Sequence, residues 1–192
     1  MLGGDGDDVF KTAVVLSGND TIYGGAGDDL FVGGAGAESF FGEAGDDIAT
    51  GGAGGDSLIG GFGSDSLAGG DGADWLQAGP GIDTLSGGAE ADRFVFLDRQ
   101  DAGLGFLNHD LITDFQVGDR IDLAAIDAND ELLGDQGFRF IGASRFSGLG
   151  QLRYTCANGI GLLEGNCTGR LDADFQLTIL GSVSLQPTSF VL

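Results

Sequence analysis

The sequence predicts an all-β protein, with a parallel β-roll over residues 1–95 followed by a β-rich C-terminal cap over 96–192. Three observations predict it. A nonapeptide rich in Gly and Asp recurs in unbroken phase. One large apolar side chain returns at a fixed place in each copy. Beyond residue 95 the pattern changes to alternating apolar runs between Gly, Asn and Asp turns.

The repeat is the first element. Residues 15–95 divide into nine consecutive nine-residue units beginning at 15, 24, 33, 42, 51, 60, 69, 78 and 87. A further unit, GGDGDDVFK at 3–11, is set apart by the insertion Thr12-Ala13-Val14. Position six holds Asp8, Asp20, Asp29, Glu38, Asp47, Asp56, Asp65, Asp74, Asp83 and Asp92. Position eight holds Phe10, Ile22, Phe31, Phe40, Ala49, Leu58, Leu67, Leu76, Leu85 and Phe94. The first six residues of a unit suit a turn that needs positive φ. The last three suit a very short strand with its middle side chain inward. One unit cannot bury that side chain alone. Two units per coil, stacked, make two parallel sheets around a continuous apolar ladder, with loops two units apart about 4.8 Å from one another.

Such stacking brings carboxylates together. At that spacing two of them repel by roughly 3–4 kcal/mol at an effective dielectric near 20, so the column calls for cations between its rungs. The donors are carboxylate and carbonyl oxygens, which suit calcium better than magnesium, with its stricter octahedron, or zinc, with its preference for N and S ligands.

The units resemble the RTX repeat, GGxGxDxUx with U large and apolar, which is a calcium-binding β-roll pattern. The resemblance implies an ion between each pair of stacked loops. One loop gives the carbonyls of positions two and four with its Asp; the other gives those of positions one and three with its Asp. On this sequence one stack runs Asp29, Asp47, Asp65 and Asp83, with carbonyls of Gly25, Gly27, Gly42, Ala44, Gly45, Gly60, Gly61 and Gly63. The other runs Asp20, Glu38, Asp56, Asp74 and Asp92, with Gly52, Gly54, Gly69, Gly70, Gly72 and Gly87. About seven calcium ions in two rows follow, and an eighth if Asp8 stacks on Asp29. The longer Glu38 departs from the pattern and predicts two weak sites.

In the second half, the expected strands lie in 91–99, 110–115, 119–126, 137–142, 150–155 and 174–180, where the nine-residue period gives way to ordinary strand patterning. HDLITDFQVGDRIDLAAIDAND (109–130), GQLRYT and the C-terminal SFVL resemble the C-terminal domain of serralysin-type secreted metalloproteases. Relatives carry an oxygen-rich loop before the last strands. Here it reads GNCTGRLDADF (165–175), with Asn166, Thr168 and Arg170 in place of those donors, and is expected to hold no ion. Asp110, Asp114, Asp119 and Asp122 are read as solubilising strand edges in preference to a further ion site. The tail SFVL reads both as a final strand and as an export signal.

Composition limits the function. The first 95 residues hold 17 acids, 2 bases and 26 of the 39 glycines; the chain as a whole carries a net −22. Without a basic patch, nucleic acid is an unsuitable partner. No apolar run approaches the ~20 residues of a membrane span, and the N-terminus lacks the features of a secretory signal peptide. His109, the one histidine, cannot form a zinc-protease motif or a catalytic triad by itself, so no catalytic constellation is expected. Cys156 and Cys167 leave a disulfide and two thiols equally open. Position nine on one outer face carries Tyr23, Phe41, Ile59, Gln77 and Val95, read first as ordinary packing. The resemblance implies a secreted, extracellular module that folds on calcium. It implies the type I secretion apparatus as a partner through the C-terminus and a catalytic domain preceding residue 1. A standalone cell-surface or matrix binding protein is the other expectation.

Overall fold

A computed structural model describes residues 1–11, 18–103, 109–129, 131, 136–168, 172–181 and 184–192. The insertion Thr12-Ala13-Val14 lies outside the described residues. The repeats form β1 (Leu2–Asp5), β2 (Val9–Lys11), β3 (Thr21–Ala26), β4 (Leu30–Val32), β5 (Ser39–Ala44), β6 (Ile48–Ala53), β7 (Ser57–Phe62), β8 (Ser66–Asp71), β9 (Trp75–Gln77), β10 (Thr84–Ala89) and β11 (Arg93–Val95). Odd-numbered strands pair in parallel in one sheet and even-numbered strands in the other, two units to a coil. The result is a parallel β-solenoid of about five turns.

Several strands are twice the expected length. β3, β5, β6, β7, β8 and β10 each run six residues, through positions seven to nine and on through positions one to three of the next unit. The glycines there bend the chain, as Gly25 does at φ 119°, without leaving the ladder: Gly25 still pairs with Glu43 and Ala26 with Ala44.

Position eight builds the core as expected. One row stacks Ile22, Phe40, Leu58, Leu76 and Phe94; the other stacks Phe10, Phe31, Ala49, Leu67 and Leu85. All but Phe10 are at most 1% exposed. Phe31 and Phe40 meet face to face across the roll, ring centroids 5.3 Å apart, and the small Ala49 next to Phe31 leaves room for them.

Beyond residue 95 both sheets continue. β12 (Asp110–Ile112) pairs in parallel with β10, and β13 (Arg120–Asp122) with β11. Ile112 and Ile121, fully buried, become the next rungs after Leu85 and Phe94. The expectation that the period ends at 95 is therefore corrected. Asp101, Asp110 and Asp119 keep the nine-residue phase of Asp92, but the glycines that advertise it are gone. The unit after Asp92 is diverted into a 3-10 turn, Arg99–Ala102, capped by Asp98, and the coil rejoins one unit later.

The cap is built on the end of the even sheet. β14 (Arg139–Phe140), β15 (Gln151–Ala157), β16 (Ile160–Asn166) and β17 (Phe175–Leu180) extend it to ten strands, with β15, β16 and β17 antiparallel and β17 parallel to β12. β16 went unforeseen because Gly161 and Gly165 disguise it. Both glycines lie under aromatic rings, those of Tyr154 and Phe175. β18 (Phe190–Val191) closes the odd sheet, with Phe190 on Ile121 and 5% exposed. On the outer face Tyr23 and Phe41 stack, centroids 4.9 Å apart, while Val95 is buried.

Cys156 and Cys167 are not joined. Cys156 is exposed opposite Gly161, and Cys167 is buried just past the Asn166–Gln151 pair. Some six residues of strand, about 20 Å, separate them along the hairpin, beyond the reach of a disulfide.

Candidate metal centre

The stacked loops carry two ladders of position-six carboxylates. On one, the backbone N–H of Asp8 donates to Asp29 Oδ1, that of Asp29 to Asp47, that of Asp47 to Asp65 and that of Asp65 to Asp83, at 2.7–2.8 Å. On the other, Glu38 donates to Asp56, Asp56 to Asp74 and Asp74 to Asp92, at 2.7–2.9 Å. Each carboxylate thus hangs from the preceding coil by one oxygen.

The second oxygen is the informative one. Oδ2 of Asp29, Asp47, Asp56, Asp65, Asp74, Asp83 and Asp92, and Oε2 of Glu38, are buried and accept no hydrogen bond among the described residues. Burying such acceptors without partners is strongly unfavourable. The oxygens of Asp29, Asp47, Asp56, Asp65 and Asp74 each face a gap between coils. A Cβ placed on Gly24 would lie 2.2 Å from Asp29 Oδ2 and 2.8 Å from the Gly42 carbonyl oxygen. The same pairing recurs at Gly42 with Asp47 and Gly60, at Gly51 with Asp56 and Gly69, at Gly60 with Asp65 and Ala78, and at Gly69 with Asp74 and Gly87. A side chain at position one of these units would enter the space that carboxylate and carbonyl share; the unit of Asp83 differs, with Ala78 at that position.

Carbonyls line the gaps as well. The position-four carbonyl of Gly27 points at Gly45, that of Gly45 at Gly63, that of Gly36 at Gly54 and that of Gly54 at Gly72. Position two repeats this, Glu43 to Gly61, Gly52 to Gly70 and Gly61 to Gly79. The position-three carbonyl of Ala44 accepts the Gly27 N–H at 2.9 Å, which leaves it one lone pair. Among the described residues no three acidic, His or Cys side chains converge, so an ion in any gap would depend on backbone oxygen.

Electrostatics follow from burial. Desolvation pushes Asp47 and Asp83 up to about 7 and Asp65, Asp74 and Asp92 up to about 6, partly opposed by the cross-coil N–H donors. Neighbouring carboxylates add to the rise. Asp56 and Glu38 are raised together, by burial first. The Glu38 carboxyl lies beside Gly36, with Oε1 2.9 Å from a Cβ placed there, and not beside Gly33 as its Asp counterparts would.

Three features were not foreseen. A second ladder of exposed position-five acids runs the other way: Asp28 N–H donates to Asp7 Oδ1, Asp46 to Asp28 and Ser64 to Asp46. The paired acids Asp28-Asp29 therefore clasp both neighbouring coils, which explains their adjacency. Asp110 continues the first carboxylate ladder below Asp83, and Asp119 the second below Asp92. Their 27-residue spacing, three units in place of two, was the signal available in the sequence. In the loop at 165–175, Asp174 accepts from the N–H groups of Cys167 and Thr168 and from the Thr168 hydroxyl, so the protein itself satisfies that carboxylate.

A family model described as peptidase M10 serralysin C terminal matches residues 46–192, and one described as the RTX calcium-binding nonapeptide repeat matches residues 2–37. No curated protein matches the chain. Among solved structures, the AlgE6R2 subunit of the Azotobacter vinelandii mannuronan C5-epimerase is 20% identical, with TM-score 0.50, over 100% of this chain and 91% of its own. The AlgE6R3 subunit from the same epimerase is 25% identical, with TM-score 0.44, over 98% of this chain and 80% of its own.

Proposed function

The chain belongs to the peptidase M10 serralysin C-terminal family, and from that premise we propose that it is the calcium-dependent, non-catalytic folding module of an exported protein. The observation that carries the proposal is the two rows of buried carboxylate oxygens without partners among the described residues, of which those of Asp29, Asp47, Asp56, Asp65 and Asp74 each face a carbonyl of the next coil. This all-oxygen donor set fits calcium, which accepts six to eight such ligands in irregular geometry.

Each gap would be held by the position-six acids of both loops, with carbonyls of positions two and four from one and positions one and three from the other. The Asp8–Asp29 gap belongs to the set, because Asp8 Oδ2 and the Gly24 carbonyl meet at Gly3 as their counterparts do elsewhere. The repeats then offer eight gaps, of which the two at Glu38 are the weakest. Calcium would supply the positive charge that the ladders lack. The chain's own part is to fix one carboxylate oxygen on the coil above and, in the described units other than that of Asp83, to keep position one clear with glycine.

Extracellular calcium modules bind with dissociation constants of about 10⁻⁴–10⁻³ M, far above cytosolic calcium. The net −15 of the first 95 residues then keeps the repeats unfolded inside the cell and lets them fold outside. Family membership supports type I export through the C-terminus and a catalytic partner domain. Among the described residues no helix is long and apolar enough to cross a membrane.

The test is circular dichroism of the purified chain. Millimolar calcium is expected to raise the β signal, and equal magnesium to leave it flat. A calcium-free chain with full β content at neutral pH would defeat coupled binding and folding.

A further inference from the structure

The nonapeptide fixes positions one, two, four, six and eight and leaves three and nine open, so the roll demands no large apolar side chain at either. Along one edge they are apolar nonetheless. Tyr23, Phe41 and Ile59, at position nine, stand beside one another on successive coils of the odd sheet, with Leu2 in phase above them. Asp5, Ala26, Ala44 and Phe62, at position three, form a second column. Glycines at positions one and two bend the chain between the columns. They floor a groove of about 720 Å³ lined by Leu2, Tyr23 and Phe62. Leu2 is 81% exposed, Phe62 68% and Tyr23 38%, so none of the three serves the core. The opposite edge has no aromatic side chain at either position among the described residues; its position nine runs Val32, Thr50, Ala68 and Ser86.

The rim of this groove is acidic. Asp5 and Glu43 line it, and the exposed position-five acids Asp7, Asp28 and Asp46 follow the same edge. Between Lys11 and Arg93 the chain has no base. Calcium in the repeat gaps leaves these acids charged, because the ligands there are the position-six acids. Glu43 is the most telling of them. Every other described unit has glycine at position two, and the coils on either side turn there at φ 119° (Gly25) and φ 113° (Gly61). Glu43 holds φ 76°, a left-handed conformation unfavourable for a residue with a Cβ. Glycine would serve the roll better. The carboxylate serves something outside it.

We propose that this groove docks an extended, basic and apolar peptide segment of a partner protein. Its apolar side chains lie between Tyr23 and Phe62, and its Lys or Arg side chains meet Glu43, Asp5 and the position-five acids. Charge complementarity selects a basic occupant, and the exposed apolar walls favour one that is not merely basic. From Leu2 to Ile59 the groove crosses three coil spacings, about 14 Å, which an extended segment covers in roughly four or five residues. The glycine floor lets a backbone approach closely. A second copy of this chain would bring acids against acids, and an anionic polymer is repelled in the same way.

Fluorescence anisotropy of the full chain in millimolar calcium, at about 0.15 M ionic strength, tests it. The probe is a labelled hexapeptide alternating Lys with Phe and Leu; the controls carry Ser for the apolar residues or Glu for Lys. The probe is expected to bind at least about tenfold more tightly than either control. Phe62→Ser should weaken it about tenfold, and Val32→Ser on the opposite edge should leave it unchanged. Glu43→Gly should weaken it several-fold with no loss of melting temperature, since glycine suits that backbone. Equal binding of the Ser control would reduce the site to bulk acidity and overturn the proposal. Absence of binding would do the same, as would affinity losses that merely follow melting temperature across the variants. Self-association in sedimentation velocity that Phe62→Ser abolishes would make a second copy the occupant, and so overturn it too.

Discussion

Calcium-free protein moved from neutral pH to about pH 4.5 is expected to gain β structure, a response opposite to ordinary acid denaturation. Burial raises Asp47 and Asp83 from 3.8 to about 7, and Asp65, Asp74 and Asp92 from 3.8 to about 6. Because these folded-state values lie above the unfolded ones, the groups stabilise the fold fully below about pH 4. That stabilisation disappears as pH rises through 6 to 7. A tenfold change in proton affinity is worth about 1.4 kcal/mol, so each carboxylate costs the ion-free fold about 3–4 kcal/mol at neutral pH. Mutual dependence reduces the sum, yet even on the order of 10 kcal/mol equals the whole stability of a typical domain, about 5–15 kcal/mol. The ion-free roll should therefore be unfolded at neutral pH and compact in acid, with protons taking the place of calcium. Far-UV circular dichroism of dilute, chelator-treated protein follows the change. Sedimentation velocity distinguishes folding from precipitation near the isoelectric point of 4.1. A chain that stays disordered at pH 4.5, or is already folded without calcium at neutral pH, would refute the electrostatic argument.

Asp65→Ala should weaken calcium binding and lower the melting temperature in calcium, since one oxygen holds the Asp47 N–H and the other faces the next gap. A loss of about 2 kcal/mol or more is expected by calorimetry, against little change for the exposed Asp71. Glu38→Asp should tighten calcium binding modestly, because the shorter side chain returns the carboxylate to position one; a titration with unchanged affinity would contradict that. Phe190→Ala should destabilise the calcium-loaded chain by about 3–5 kcal/mol, as its ring is the last rung on Ile121 and packs against Phe140. Thermal unfolding reads this, and the loss qualifies any export experiment that deletes the tail. In the native calcium-loaded chain a maleimide should modify Cys156 readily and Cys167 only on unfolding, which mass spectrometry of the digested protein would reveal.

The nonapeptide by itself determined the roll. Its aspartates, glycines and position-eight apolar residues act through neighbours a fixed number of residues away, so phase alone predicts which rungs meet. That is why Phe31, Leu67 and Asp47 fall where periodicity puts them. Only the tertiary structure decided how the roll ends. Asp110 and Asp119 rejoin the ladders after the 3-10 turn at Arg99–Ala102 takes one unit out of the stack, and a diverted unit leaves no local mark without its glycines. The Gln116 side-chain amide reaches the Gly88 carbonyl 28 residues away. Phe190 likewise becomes a core rung only because β13 offers it an edge. Such contacts are set by how coils stack, and short-range sequence pattern carries no record of them.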